Sequence, residues 1–147
     1  MKKRKGDPWV PAGAYGRMLP AFTVNLIVAD VARSVAFYRD VLQAFVHYSD
    51  EDFAAVKVGG TEIMIHADHT YEENPLYRRL SEAGLRGAGV ELRLFGIDPD
   101  AVEDRAKAAG ATVLSATMDR AHGWREVFVE DPDGYVWAVG TPTEPGS

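Results

Sequence analysis

Hydrophobic and polar residues alternate at the start of two similar stretches of the chain. In FTVNLIVAD, residues 22–30, Val24, Leu26 and Val28 fall on one face of an extended segment. GVELRLF, residues 89–95, alternates in the same way. Alternation is the period of a strand whose two faces meet different surroundings. Each stretch is therefore predicted to begin with a strand that is packed on one face.

Each predicted strand leads into a segment with helical spacing. Asp30 is a suitable N-cap for VARSVAFYRDVLQAF, residues 31–45, in which apolar residues recur every three to four positions. In DPDAVEDRAKAAG, residues 98–110, Asp98 is the predicted N-cap and Pro99 the first helical residue.

Three further strands are predicted after each helix, because the segments are rich in β-branched and aromatic residues. They cover residues 45–50, 53–58, 61–67, 112–116, 125–130 and 135–140. Gly59-Gly60 predicts a hairpin, and Asp131-Pro132-Asp133-Gly134 predicts a tight turn. The order strand, helix, strand, strand, strand thus occurs twice, which indicates an internal repeat.

The repeat defines the predicted domain organisation. Each helix would cover one face of its sheet and leave the other face to line a cleft, which is an α+β architecture. The predicted parts are an N-terminal arm over 1–20, one domain over 21–142 with modules 21–68 and 88–142 joined by a linker 69–87, and a tail 143–147. A helical stretch is expected around 75–83 in the linker.

The predicted arm is rich in glycine and proline and shows no periodicity. The side chains of Trp9, Val10, Tyr15 and Met18 are candidate anchors on the body of the protein or on a second subunit. Terminal disorder is the alternative.

Composition excludes several classes of function. The chain has no cysteine, which excludes disulfides, thiolate zinc sites and thiol nucleophiles. Its net charge of −6 argues against a nucleic-acid partner, and the basic tract KKRK, residues 2–5, is expected to be a solvated tail. No apolar run approaches the ~20 residues of a membrane span. We therefore expect a cytoplasmic protein with no membrane partner.

The repeat and two motifs resemble the vicinal oxygen chelate superfamily. The motifs are VADVARSVAFYRDVL, residues 28–42, and FVEDPDGYVWAV, residues 128–139, and the similarity covers about residues 22–141. The superfamily includes glyoxalase I, extradiol dioxygenases, fosfomycin-resistance transferases and bleomycin-resistance proteins. The resemblance implies two tandem βαβββ modules that form a curved mixed sheet around a cleft, and a homodimer.

Enzymes of this superfamily hold a divalent metal ion on the first and last strands of the modules. The matching positions in this chain are Thr23, Met64, Glu91 and Ala138. Only Glu91 is a good ligand, because a thioether, a methyl group and a hydroxyl do not compete with water for such ions. We therefore expect no metal and no other cofactor.

A displaced metal site is the alternative. His66, Asp68 and His69 in the segment HADH could combine with Glu91. Their spacing matches no established metal motif, so a strand end followed by a loop is the favoured interpretation.

Small-molecule ligands are expected to bind on the strand faces that point away from the helices. A mainly apolar lining with a few polar groups is typical of such sites. The predicted ligand-binding residues are Thr23, Asn25, Val56, Met64, His66, Glu91, Arg93, Trp124, Glu126 and Phe128. Trp124 would either stack on a planar ligand or cap the core.

Glu91 and His66 are the candidate catalytic residues. Among apolar neighbours, Glu91 would be partly desolvated, and burial would raise its pKa toward that of a general base assisted by His66. Alternatively, Arg93 neutralises Glu91, or Glu91 is the counter-charge of a cationic ligand.

The predicted function is metal-independent binding of an apolar or aromatic small molecule, similar to the bleomycin-resistance branch. The alternative is a glyoxalase-like lyase, isomerase or dioxygenase, either metal-free with Glu91 and His66 or with the displaced metal site.

Overall fold

The computed structural model describes residues 1–82 and 84–144, which form four helices, eight strands and a short 3-10 turn. Of the predicted tail 143–147, the last three residues lie outside the described part of the chain, as does residue 83 of the predicted linker helix. The helices are α1 (Ala12–Met18), α2 (Val31–Asp40), α3 (Tyr77–Glu82) and α4 (Pro99–Ala108), and the 3-10 turn is Asp68–Tyr71. The strands are β1 (Asn25–Val28), β2 (Phe45–Ser49), β3 (Phe53–Val58), β4 (Thr61–Ala67), β5 (Glu91–Phe95), β6 (Thr112–Asp119), β7 (Trp124–Glu130) and β8 (Val136–Pro142).

The two halves of the chain form sheets of identical topology. The strand order is β1-β4-β3-β2 in the first sheet and β5-β8-β7-β6 in the second. In each sheet the first pair is parallel and the other pairs are antiparallel. This arrangement confirms the predicted α+β fold with two tandem βαβββ modules.

The chain divides into two compact units. The first consists of the described residues of Met1–Val35 and Ala44–Ala83, and the second of the described residues of Ala36–Gln43 and Gly84–Ser147. The units differ from the predicted modules because the second half of helix α2 belongs to the second unit.

In the first unit, the hairpin between β3 and β4 sets the register. Gly59 and Gly60 both have positive φ, 55° and 84°, a backbone conformation that favours glycine. The turn places Val56 opposite Ile63, and both side chains are buried in the core. On each strand, the residues that alternate with these two therefore point to the opposite, open face of the sheet.

In the second unit, helix α4 begins as its sequence predicts. The Asp98 carboxylate accepts a hydrogen bond from the Asp100 N–H at 3.0 Å, and Pro99 occupies the first turn. Val102 and Ala106 of this helix are buried, as are Val127 and Val129 of β7 and residues 137–140 of β8. The helix thus packs against one face of the second sheet, and the other face carries the less buried side chains of β5 and β7.

The N-terminal arm is partly helical, which the sequence did not predict. Gly13 and Gly16 lower the helix propensity of α1, and its ordering follows from tertiary contacts. Tyr15 is buried and packs edge-on against Phe53, with ring centroids 5.3 Å apart. Trp9 stacks on Tyr48 at 5.3 Å.

Two of the four candidate anchors, Trp9 and Tyr15, are therefore confirmed as anchors on the body of the protein. Met18 is 67% exposed, so it does not anchor the arm on the body of this chain. No helix among the described residues has the length and apolar character needed to cross a membrane.

Candidate ligand-binding site

A cavity of about 240 Å³ lies within the first unit, between the arm and the open face of the first sheet. Its wall is mostly apolar. The arm side is formed by Lys2, Arg4, Pro8, Trp9, Val10, Ala12, Tyr15, Gly16 and Leu19, and the remaining lining residues are Tyr48, Asp52, Phe53, Met64, His66 and Thr70.

Strand register brings the sheet side of the cavity together. His66 of β4 lies opposite Phe53 of β3, and Met64 lies opposite Ala55. Cross-strand partners share a face, so Phe53, Met64 and His66 all project toward the arm. Met64 and His66 were predicted on the open face, and their position in the cavity wall confirms that placement.

Aromatic rings give the cavity flat walls. Among the lining residues, the Trp9 indole stacks on the Tyr48 ring with an interplanar angle of 29° and a centroid distance of 5.3 Å. The Tyr15 hydroxyl donates to Glu62 Oε1 at 3.3 Å, and its pKa is raised by burial and by the charge of that carboxylate. Such walls suit a planar apolar molecule.

Asp52 attaches the start of the arm to the first unit. Its carboxylate accepts hydrogen bonds from the N–H groups of Lys3 at 2.6 Å and Arg4 at 3.1 Å, and it contacts His69 Nε2 at 2.7 Å. Burial tends to raise the pKa of Asp52, but these hydrogen bonds hold it below its ordinary value. The basic tract 2–5 is therefore attached at Lys3 and Arg4, while Lys2, Lys3 and Lys5 are exposed, as the interpretation as a solvated tail expects.

His66 is held by a chain of polar groups. Its Nδ1 lies 2.7 Å from Asn25 Oδ1, and Asn25 Nδ2 donates to the Tyr71 hydroxyl at 2.6 Å. Burial lowers the pKa of His66, with a smaller opposing effect from the charge of Asp50. Asn25 was predicted as a ligand-binding residue, and the structure places it behind His66 as a hydrogen-bonding partner.

The second unit carries a separate charged cluster on the open face of its sheet. Glu126 is buried, with Oε2 2.6 Å from Arg93 Nη2 and Oε1 2.8 Å from His122 Nε2. Arg93 also contacts the Glu91 carboxylate. Glu91, Arg93 and Glu126 share one face, as predicted.

The expected desolvation of Glu91 was wrong. Its side chain is 47% exposed and forms an ion pair with Arg93. Of the alternatives raised from the sequence, neutralisation by Arg93 is the one that the geometry supports.

Aromatic side chains flank this charged cluster. Trp124 packs against Phe95 with a centroid distance of 4.4 Å, and the guanidinium of Arg120 lies 5.0 Å from the centre of the Phe128 ring. Trp124 and Phe128 alternate with the buried core residues of β7, so both lie on the open face.

One predicted ligand-binding residue does not lie where the prediction placed it. Val56 is fully buried opposite Ile63, on the core face of β3. The prediction failed because the segment FAAV is apolar on both faces and hides the alternation. Thr23 precedes β1, and its hydroxyl donates to the Pro20 carbonyl at 2.9 Å.

The residues at the metal positions of the superfamily do not fit a divalent cation. Ala138 is fully buried and has no donor atom, Glu91 is paired with Arg93, and the Thr23 hydroxyl is engaged with backbone. Within residues 1–82 and 84–144, no three His, Cys, Asp or Glu side chains form a group that could hold a metal ion.

The alternative metal site in HADH is not assembled either. His66 on β4 contacts Asn25, whereas His69 in the 3-10 turn contacts Asp52. The two imidazoles therefore contact different residues, and the alternative of a displaced metal site was wrong.

Sequence reasoning missed several residues of the cavity, notably Arg4, Tyr48, Asp52 and Phe53. The last three flank the tight turn between β2 and β3, where Asp50 accepts hydrogen bonds from the N–H groups of Asp52 and Phe53. The segment YSDEDF carries the acidic turn signal that could have placed the flanking aromatic residues.

The fold and topology define a protein of paired βαβββ modules. Residues 21–139 match the sequence profile of the Glyoxalase/Bleomycin resistance protein/Dioxygenase superfamily. The chain belongs to this superfamily.

Two mycobacterial proteins match most of the chain in sequence. An uncharacterized protein of Mycobacterium bovis is 32% identical over 129 residues, covering 84% of each chain. An uncharacterized Mycobacterium tuberculosis protein has the same identity and covers 84% of this chain and 75% of its own length.

Among solved structures, a glyoxalase/bleomycin resistance protein/dioxygenase family enzyme from Burkholderia phytofirmans has a TM-score of 0.66 at 23% identity, covering 82% of this chain and 96% of its own. A lactoylglutathione lyase from Agrobacterium tumefaciens has a TM-score of 0.56 at 19% identity, covering 83% and 94%. At these identities the structures show a shared fold.

Proposed function

We propose that the protein binds a small apolar or aromatic molecule in the cavity of the first unit, without the help of a metal ion. The observation that carries this proposal is the mostly apolar cavity of about 240 Å³ with aromatic walls. A concave apolar site with a few polar groups is the usual form of a small-molecule site. Membership of a superfamily that includes bleomycin-resistance proteins supports the same function.

Calorimetric titration with 2-methoxynaphthalene, a planar probe, tests the proposal. We expect saturable binding with a dissociation constant in roughly the micromolar range, as a probe of this size allows. Met64→Trp places a larger side chain in the cavity wall and should abolish the binding. Met118→Trp, at an exposed methionine of the second unit, is the matched control and should bind normally.

Elemental analysis tests the metal-free part of the proposal. Protein purified without chelators and without a metal-affinity step should contain far less than one metal ion per chain. Stoichiometric zinc, iron, manganese or nickel would contradict this part directly.

A glyoxalase-like enzyme is the second candidate function. The observation that favours it is His66, a half-buried imidazole with a lowered pKa in the cavity wall. Such a group is suited to accept a proton. Turnover of aldehyde–thiol adducts by the wild-type protein, lost in His66→Phe but retained in His122→Phe, would support catalysis over simple binding.

A further inference from the structure

We propose that the ligand is a planar aromatic compound with a hydroxyl group, and that this hydroxyl donates a hydrogen bond to Nε2 of His66. The inference rests on the proposed function, since it gives the chemical class of ligand for the same cavity. It follows from the polar groups that orient His66.

Asn25 determines which nitrogen of His66 carries the proton. Asn25 Nδ2 donates to the Tyr71 hydroxyl at 2.6 Å, so Asn25 Oδ1 is the atom that faces His66 Nδ1 at 2.7 Å. A carbonyl oxygen accepts, so Nδ1 is the nitrogen that donates. A neutral imidazole has a single N–H, and the lone pair is therefore on Nε2.

The surroundings keep His66 in this neutral form. The ring is in contact with Phe53, with centroids 4.9 Å apart, and with Tyr71 at 5.7 Å. Burial among these rings lowers the pKa of His66. A neutral histidine can accept at Nε2, whereas a protonated one cannot.

The Nε2 acceptor has no protein partner among residues 1–82 and 84–144, where the His66 ring is hydrogen-bonded at Nδ1. His66 lines the cavity beside Phe53 and Met64, whose side chains have no hydrogen-bond donor. An accessible acceptor in a mostly apolar wall favours a ligand that brings a donor, because its hydrogen bond adds to the apolar contacts of the ring. An aromatic hydroxyl satisfies Nε2 while its ring lies against the aromatic walls.

Arg4 is the competing polar group of the cavity wall. Its Nη1 lies 3.7 Å from Asp52 Oδ2 and 3.9 Å from Asp50 Oδ2. Its positive charge is thus compensated by two carboxylates, but its Nε is buried and has no hydrogen-bond partner among the described residues. Recognition of a carboxylate by Arg4 is therefore the competing outcome that the test must distinguish.

Calorimetric titration with two probes of nearly equal shape tests the inference. We expect 2-naphthol, which has a hydroxyl, to bind about tenfold more tightly than 2-methoxynaphthalene, which has no donor. In His66→Phe this preference should disappear, while 2-methoxynaphthalene still binds. His122→Phe, in the second unit, should retain the preference, and thermal melting of each variant verifies folding.

Substitution of Asn25 tests which nitrogen of His66 carries the proton, and leaves the imidazole itself in place. Asn25→Leu removes the group that holds the proton on Nδ1, so the preference for 2-naphthol should fall. A purely structural role of Asn25 would change the affinity for both probes alike.

Three outcomes would overturn the inference. Equal affinity of the wild-type protein for both probes would reject the hydroxyl contact and leave the proposed function intact. Tighter binding of 2-naphthoate than of 2-naphthol, lost in Arg4→Gln, would assign recognition to Arg4. Absence of binding by all three probes would reject the inference and the proposed function together.

Discussion

Asp131 shows how one residue of a turn motif can also join distant parts of the chain. Its Oδ1 accepts from the N–H groups of Asp133 and Tyr135, each at 2.9 Å, which forms the turn. Its Oδ2 accepts from the Tyr38 hydroxyl of helix α2 at 2.7 Å, and that hydroxyl also accepts from Trp137 Nε1 at 3.2 Å. Burial raises the pKa of Asp131, although these hydrogen bonds oppose the rise.

Replacing Asp131 with alanine should lower the free energy of unfolding by about 3 kcal/mol, because three donors lose their acceptor in a buried place. Urea unfolding measures the change. Asp104→Ala, at an exposed position of helix α4, should be within about 0.5 kcal/mol of the wild type. An equally small effect for Asp131→Ala would show that its hydrogen bonds contribute nothing net.

Gly140 is a residue that strand packing restricts to glycine. A Cβ at this position of β8 would lie 3.0 Å from Glu126 Cγ and closer still to the Arg125 carbonyl oxygen. The buried Glu126 carboxylate therefore depends on the absence of a side chain here.

Gly140→Ala should destabilise the protein by about 2 kcal/mol or more, since backbone must move to admit the methyl group. It should also disturb the contact of Glu126 with Arg93. Gly89→Ala, where a Cβ meets nothing within 4 Å, is the control and should be tolerated. The melting temperatures of Gly140→Ala and Gly89→Ala, each compared with that of the wild type, test this expectation.

At the scale of elements, the arm and helix α1 are the parts whose structure depends most on contacts from elsewhere. Helix α1 has seven residues, two of them glycine, so it would not persist in isolation. Tyr15 and Trp9 attach it to the first sheet, and Asp52 attaches the residues before it. The start of the arm is thus a part of the cavity wall whose attachment a single substitution, at Asp52, can remove.

Asp52→Ala should release the start of the arm and make tryptic cleavage after Arg4 about tenfold faster, because two backbone N–H groups and His69 lose their acceptor. Cleavage is followed by mass spectrometry. Glu51→Ala, at the neighbouring exposed residue, should leave the rate unchanged. Equal rates for both variants would contradict the role of Asp52.

The first unit should lose stability in acid, in two steps. His66 has a lowered pKa, so the folded state resists its protonation and stability falls as the pH decreases below 6.5 toward the folded-state value. Asp52 also has a lowered pKa, so its contribution is present above pH 3.8 and is lost as the pH falls through its folded-state value.

Urea unfolding across this pH range should show the first step flattened in His66→Phe and the second in Asp52→Asn. Unchanged profiles in both variants would reject these assignments.

At the scale of the whole molecule, the superfamily fold accommodates two different open faces. That of the first sheet is apolar and covered by the arm, whereas that of the second carries Arg93 paired with Glu91 and Glu126. Identical topology therefore does not give the two units identical chemistry, because the side chains on the open faces differ.

The resemblance to the superfamily also predicts a homodimer. We expect light scattering after size exclusion to give twice the mass of a single chain at micromolar protein concentration. The mass of one chain under those conditions would contradict the prediction.

The amino-acid sequence by itself determined the repeated βαβββ order, the caps of helix α4 and the two turns. These features depend on local periodicity and on the conformations of glycine, proline and aspartate, which short segments carry within themselves. It also identified Met64, His66 and Glu91 as open-face residues, since alternation along a strand is local.

Only the tertiary structure decided which open-face residues share a cavity. The arm lies against residues some 30 to 60 positions away along the chain, as when Trp9 meets Tyr48 and Lys3 meets Asp52. Tyr15 orders a helix that its own glycines disfavour, and Arg93 forms an ion pair with Glu91. Contacts between distant segments follow from packing, and no local pattern records them.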